Sequence, residues 1–207
     1  MLGDYFQNNK KQSVKSDFTA NCKYISLFNF LELYLPDFSK KMRLAKGTDE
    51  RILNQKLLRF FTGQNSLFVF LPENLDEKGK NISKPDFGVY ERIKVADYNQ
   101  QRFFDIECKR LYDTTKSKQY VLGKTGGIQR FKENKHGVNL PYSAMIGYVE
   151  IEDFNFWHKK VNSWISEKEE HLKFIKINRI AKLKSIHERN KEKTKIELIH
   201  FWLNIID

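Results

Sequence analysis

Asp86, Glu107 and Lys109 are the residues whose types and spacing could do chemistry. Glu107 and Lys109 stand two apart, so on a strand they share a face. Phe103, Asp105, Glu107 and Lys109 then point one way, and Phe104, Ile106 and Cys108 the other. Central strands of an α/β sheet are covered on both faces, and a carboxylate and an ammonium buried together need partners or a metal. Asp86 follows Pro85 near the start of the preceding strand. If the two strands form a hairpin, Asp86 lies near Glu107. Two carboxylates converging in this way bind a hard cation such as Mg²⁺, with Mn²⁺ as the alternative. Such an ion would hold a phosphate oxygen and a water, stabilise negative charge and lower the water's pKa. Lys109 would hold the attacking water or neutralise the phosphate as a point charge.

The elements that must position these residues are read from period and punctuation. Residues 24–35 predict a helix ended by Pro36. Residues 1–20 are polar and expected to be loosely ordered. A second helix is expected over 49–61, with Thr48 as N-cap, Asp49 and Glu50 at its positive end and Gly63 closing it. Its apolar positions Ile52, Leu53, Leu57, Phe60 and Phe61 follow helical spacing. The period then changes to strands at 66–71, 84–95 and 102–111, with a turn at 76–80 and a hairpin loop at 96–101. A helix over 127–135, a buried strand over 142–151, a helix over 153–168 opened by Asp153, and two strands within 180–206 complete the order. The expected fold is α/β.

Pro85-Asp86, followed 21 residues later by Glu107-Cys108-Lys109, resembles the motif of the PD-(D/E)xK nuclease superfamily, which includes restriction endonucleases, junction resolvases and phage-defence nucleases. The resemblance implies a restriction endonuclease-like core, α-β-β-β-α-β, over residues 49–151. To this are added an N-terminal helix, a C-terminal helix and a β-hairpin. It implies Asp86 and Glu107 as metal ligands, the carbonyl of Cys108 as a backbone ligand, and Lys109 as the catalytic lysine. It also implies a Glu on the first core helix, best matched by Glu50, and a Gln or Arg on the helix after the third strand, matched by Gln129 with Arg130 beside it. The bare pattern recurs by chance. Its context, with both halves on expected strands in the expected order, gives it weight.

Other candidates carry less. Glu50 also suits a helix start, and Gln129 also suits an exposed helix face. Asp105 would orient Lys109 or a water, or pair with a basic residue. Asp97 falls in the hairpin loop. Gly123-Lys124-Thr125-Gly126-Gly127 lacks P-loop spacing and reads as a flexible connection able to touch a backbone phosphate. Ser185, His187 and Arg189 alternate along one strand, with His200 on the next. They would form either a substrate-contacting or partner-binding face or, the preferred reading, an exposed strand face with local hydrogen bonds. No nucleophile elbow accompanies them. Five scattered histidines and two distant cysteines offer no zinc spacing. Trp157 and Trp164 read as core.

The 207 residues suit one domain, with 152–207 a basic C-terminal extension. Hydrophobic residues at 40% and charged residues at 30% exclude a disordered chain, and no apolar run is long enough to cross a bilayer. The N-terminus lacks signal-peptide order, and Cys22 and Cys108 are too few for a disulfide framework, so a cytoplasmic protein is expected. The net charge of +11 argues for an anionic partner, the alternative being a Lys-rich solubilising surface. Residues 110–136 and 159–195 concentrate the excess, the latter with twelve Lys or Arg against five Glu. Lys124, Arg130 and Lys132 are the expected nucleic-acid contacts. The expected function is Mg²⁺-dependent hydrolysis of double-stranded DNA, in restriction or phage defence, with a homodimer serving cleavage of both strands. The competing reading is a catalytically silent binding module of the same fold. A third is a nuclease held off until it senses a partner.

Overall fold

The computed structural model describes residues 3–42, 47–64, 67–72, 84–92 and 102–205. The turn at 76–80 and the hairpin loop at 96–101, with Asp97, lie outside them. The chain divides into two compact units, Met1–Tyr34 and Leu35–Asp207. The first is the greater part of helix α1 (Gly3–Lys41). Its rings Phe30 and Tyr34, one helical turn apart, lie 4.7 Å apart between centroids. The helix is much longer than expected and does not stop at Pro36. An internal proline costs a helix about 3 kcal/mol. The flanking Leu35 and Phe38 are fully buried, and their packing offsets that cost.

The second unit is a mixed α/β fold around a seven-stranded mixed sheet. Its strands are β1 (Phe68–Pro72), β2 (Phe87–Glu91), β3 (Phe104–Leu111), β4 (Tyr142–Val149), β5 (Lys173–Ile177), β6 (Ile180–Glu188) and β7 (Lys195–Asn204), in the spatial order β1-β2-β3-β4-β7-β6-β5. β1, β2 and β3 pair antiparallel, β3–β4 and β4–β7 pair parallel, and β7, β6 and β5 pair antiparallel. The parallel step from β3 to β4 is made through a 3₁₀ turn (Lys116–Tyr120) and helix α3 (Gly127–Lys132). The central strands are buried on both faces, β4 from Ser143 onward and β3 at every position but Arg110. β5 was not expected: it is short and largely exposed, and Lys173 and Lys176 interrupt the apolar residues of Lys-Phe-Ile-Lys-Ile.

Helix α2 (Glu50–Thr62) lies against this sheet through Leu53, Leu57 and Phe61, spaced i, i+4, i+8 and buried. Each such side chain contributes about 1.5–3 kcal/mol by leaving water. Phe61 stacks on Phe70 of β1 at 4.5 Å, and the Tyr148 hydroxyl donates to Asn54 Oδ1 at 3.0 Å. Ile52 is exposed instead. The N-cap is Asp49, whose side chain accepts the Arg51 N–H, and not Thr48. Gly63 closes the helix as expected. Helix α4 (Phe154–Asn162) is capped by Asp153, which accepts the Phe156 N–H at 2.6 Å. Trp157 is fully buried in the core with Trp164 packed against it. A Cβ at Gly147 of β4 would stand 2.5 Å from the Trp202 ring, so only glycine lets β7 bring that ring down. Among the described residues no helix is long and apolar enough to cross a membrane.

Candidate active site

The expected hairpin exists: β2 pairs antiparallel with β3, with Phe87 opposite Ile106. Asp86, one residue before β2, is therefore carried to the level of Glu107. Its Oδ2 accepts the Cys108 backbone N–H at 2.8 Å. Burial, then the charge of Glu107, push the Asp86 carboxyl up to about 7.

Glu107 is 1% exposed and Lys109 8%. The Lys109 ammonium donates to three oxygens: Glu107 Oε1 at 2.8 Å, the Cys108 carbonyl at 2.8 Å and Glu50 Oε1 at 3.1 Å. Burial alone would lower the lysine's pKa, but Glu107, Glu50 and Asp86 outweigh it and raise it. Glu50, the first residue of α2, also accepts the Arg110 N–H through Oε2 at 3.1 Å. The helix start thus joins β3 at its reactive end. Arg110 in turn is held in a two-pronged pair by Glu150.

From α3, Arg130 reaches Glu107 Oε1 at 3.1 Å. Gln129 does not turn to this site. Its amide donates to Glu133 at 2.8 Å on the helix surface. Lys132 pairs with Glu169 at 2.6 Å, and Lys124 is exposed. Asp105 lies deeper on the catalytic face. Its Oδ1 pairs with Arg102 at 2.7 Å and its Oδ2 accepts the Gly137 N–H at 2.6 Å. Gly137 has φ +61°, a conformation glycine adopts freely.

His136, which the sequence did not single out, is fully buried with Nδ1 3.4 Å from Glu107 Oε2. Burial, with Arg130, Lys109 and Arg102, lowers its pKa to about 3. Nothing in its neighbours Lys135 and Gly137 marks it as a site residue. Only the return of the α3–β4 connection under β3 does so.

Glu50 and Asp86 also line a groove of about 180 Å³ with Asn54, Gln55, Pro72 and Phe87. The site therefore has an open carboxylate side and a closed, cationic side.

The chain matches no family model, no curated protein and no solved structure.

The donor set fits a hard cation. The Lys109 ammonium already stands among three oxygens as a cation would, and Glu107 Oε2 accepts no hydrogen bond among the described residues. Among those residues no three His, Cys, Asp or Glu side chains form a metal-holding group. A backbone carbonyl and water would have to complete the shell, as is common for Mg²⁺.

The tail differs from the expected exposed face. Ser185, His187, Arg189 and His200 are all buried. Ser185 Oγ lies 2.8 Å from both His187 Nε2 and His200 Nε2. His200 Nδ1 meets the Tyr120 hydroxyl at 2.8 Å, which also accepts the Trp202 indole N–H at 2.9 Å. His187 Nδ1 lies 3.3 Å from Glu169. One donor order satisfies every group. Tyr120 donates to His200, His200 to Ser185, Ser185 to His187, and His187 to the Glu169 carboxylate. Burial keeps His200 neutral by lowering its pKa far below the usual value. Glu169, His187 and Ser185 stand in the order of a hydrolase triad, but Ser185 is fully buried, so no substrate can reach its Oγ. Arg189 spreads its guanidinium over the Phe131, Gly137 and Leu140 carbonyls and Asn134 Oδ1, at 2.7–3.3 Å. These are structural groups, and Arg189 anchors the end of α3, which carries Arg130, and the α3–β4 connection, which carries His136.

Proposed function

We propose that the chain is a divalent-metal-dependent phosphodiesterase of the PD-(D/E)xK type acting on DNA. The observation that carries this reading is the gathering of Glu107, the Cys108 carbonyl and Glu50 around one cationic group, beside Asp86. Supporting it, α2, β1, β2, β3, α3 and β4 follow in the order of the restriction endonuclease-like core. The +11 net charge favours a polyanionic substrate.

Asp86, Glu107 and the Cys108 carbonyl would hold Mg²⁺ or Mn²⁺, and such an ion supplies Lewis-acid polarisation of a phosphate oxygen and an acidified water. Lys109 would bring a positive charge to the attacking water and the scissile phosphate. Glu50 orients Lys109. Arg130 fills the helix position assigned to Gln129, and its second guanidinium edge can take a phosphate oxygen.

A silent binding module of the same fold is the second reading. It draws on the pairing of Glu107 with both Lys109 and Arg130, which meets that carboxylate's charge from within the chain. Incubation with supercoiled plasmid and Mg²⁺ or Mn²⁺ separates the two. Nicked or linear product that EDTA abolishes supports the enzyme, and intact plasmid at every metal concentration favours the silent module.

A further inference from the structure

Lys109 Nζ has three protons, and each has an oxygen partner: Glu107 Oε1, the Cys108 carbonyl and Glu50 Oε1, at 2.8, 2.8 and 3.1 Å. Two of these three oxygens belong to groups to which the proposed function gives the metal, and the third lies on the helix beside them. The ammonium is thus not aimed at an open substrate position. It fills the cage. Ammonium–oxygen separations of about 2.8–3.1 Å are longer than the about 2.0–2.6 Å of Mg²⁺ and Ca²⁺, so a divalent ion would draw the same oxygens inward and leave no place for Nζ. Glu50, Glu107 and Asp86 together face Lys109 and Arg130. The cage therefore carries more acidic groups than resident cations. Lys109 hangs on a flexible four-carbon stem, and the groove lined by Glu50 and Asp86 opens beside it.

We propose that Lys109 is a built-in competitor for the metal: its ammonium holds the cation seat in the resting protein and is released toward substrate only when a divalent ion displaces it. This rests on the proposed nuclease reading and goes beyond it, because it makes metal loading the step that arms the lysine. The resting chain is then closed to substrate by its own catalytic group. The exchange is ionic and breaks no covalent bond: one ammonium leaves three oxygens and one divalent cation replaces it.

Calorimetric titration of Mn²⁺ into the wild type and into Lys109→Met tests this without any substrate. Lys109→Met removes the competing charge and keeps the apolar stem. It should bind the ion at least about tenfold more tightly, and Mn²⁺ should raise its melting temperature more than that of the wild type. Equal or weaker binding overturns the proposal while leaving the nuclease reading intact. Absence of binding in both proteins overturns both. Lysine-¹⁵N-labelled wild type gives a second readout that does not depend on the variant folding. The Lys109 ammonium signal should be protected from water exchange before Mg²⁺ is added and lose that protection on saturation. A protected signal that persists at saturating Mg²⁺ overturns the proposal.

Discussion

Asp86 Oδ2 accepts the Cys108 backbone N–H at 2.8 Å, which fixes the carboxylate of one strand to the main chain of its neighbour, next to Glu107. That bond lowers the carboxyl's pKa, yet burial and Glu107 prevail and leave it near 7.

The consequence is a pH dependence with a definite sign. The folded value lies above the unfolded value of 3.8. The contribution of Asp86 to stability is therefore fully present below about 4 and is lost as pH rises through about 7. Asp86→Asn keeps an acceptor for Cys108 and removes the charge. Thermal melts of the metal-free proteins should show the variant gaining on the wild type between pH 5 and pH 8, with about 2–4 °C for each kcal/mol. Metal binding by the wild type should strengthen over the same interval, since only the ionised carboxylate is a ligand. A melting difference that does not change with pH would contradict the assignment.

Glu107 joins Lys109 and Arg130 at 2.8 and 3.1 Å and is 1% exposed. Glu107→Gln leaves two buried cations short of a partner. Breaking a buried pair from one side costs about 3–5 kcal/mol. Urea unfolding at neutral pH should show that loss, whereas a change below about 1 kcal/mol would mean that the cations are solvated.

The fold was legible wherever local signals agreed. Helical spacing and an acidic first turn marked α2. Alternation marked β3, and Asp153 marked the start of α4. The hairpin that brings Asp86 to Glu107 followed from adjacent strands. Three features were not legible, each for a long-range reason. α1 passes Pro36 because Leu35 and Phe38 are buried, and a local rule about proline does not contain that packing. His136 joins the site because Asp105 holds Gly137, 32 residues away in sequence. The polar face of β6 is buried because Tyr120 and Glu169 supply hydrogen bonds from distant segments, which no pattern within 180–206 reveals. In Gln129 and Arg130 the sequence identified the right helix, and a rotation of one residue decides which side chain meets Glu107.

The buried relay gives a separate test of structure without chemistry. Ser185→Ala leaves His187 Nε2 and His200 Nε2 each missing the bond they share with Oγ. A buried polar group left unsatisfied costs about 1–3 kcal/mol. Denaturant midpoints should fall accordingly while any plasmid cleavage by the folded protein persists. Loss of cleavage with unchanged stability would assign Ser185 a chemical role instead.

Arg189 is 2% exposed and holds the segment from Phe131 to Leu140 through four acceptors. Arg189→Met should cost about 1–3 kcal/mol for each buried acceptor left without a donor. Arg189→Lys should recover little, because an ammonium cannot span the same fork. Hydrogen exchange should show the 131–140 amides opening first. Uniform protection across the chain in Arg189→Met would refute the clamp.

Single-turnover cleavage of an end-labelled DNA duplex, in Mg²⁺ or Mn²⁺, by the wild type and by Glu107→Gln of verified fold, tests the central claim most directly. The wild type should cut, EDTA should stop it, and Glu107→Gln should be slower by about a thousandfold. Cleavage by Glu107→Gln at the wild-type rate, or a wild type that binds the metal and leaves the duplex whole, would contradict the phosphodiesterase.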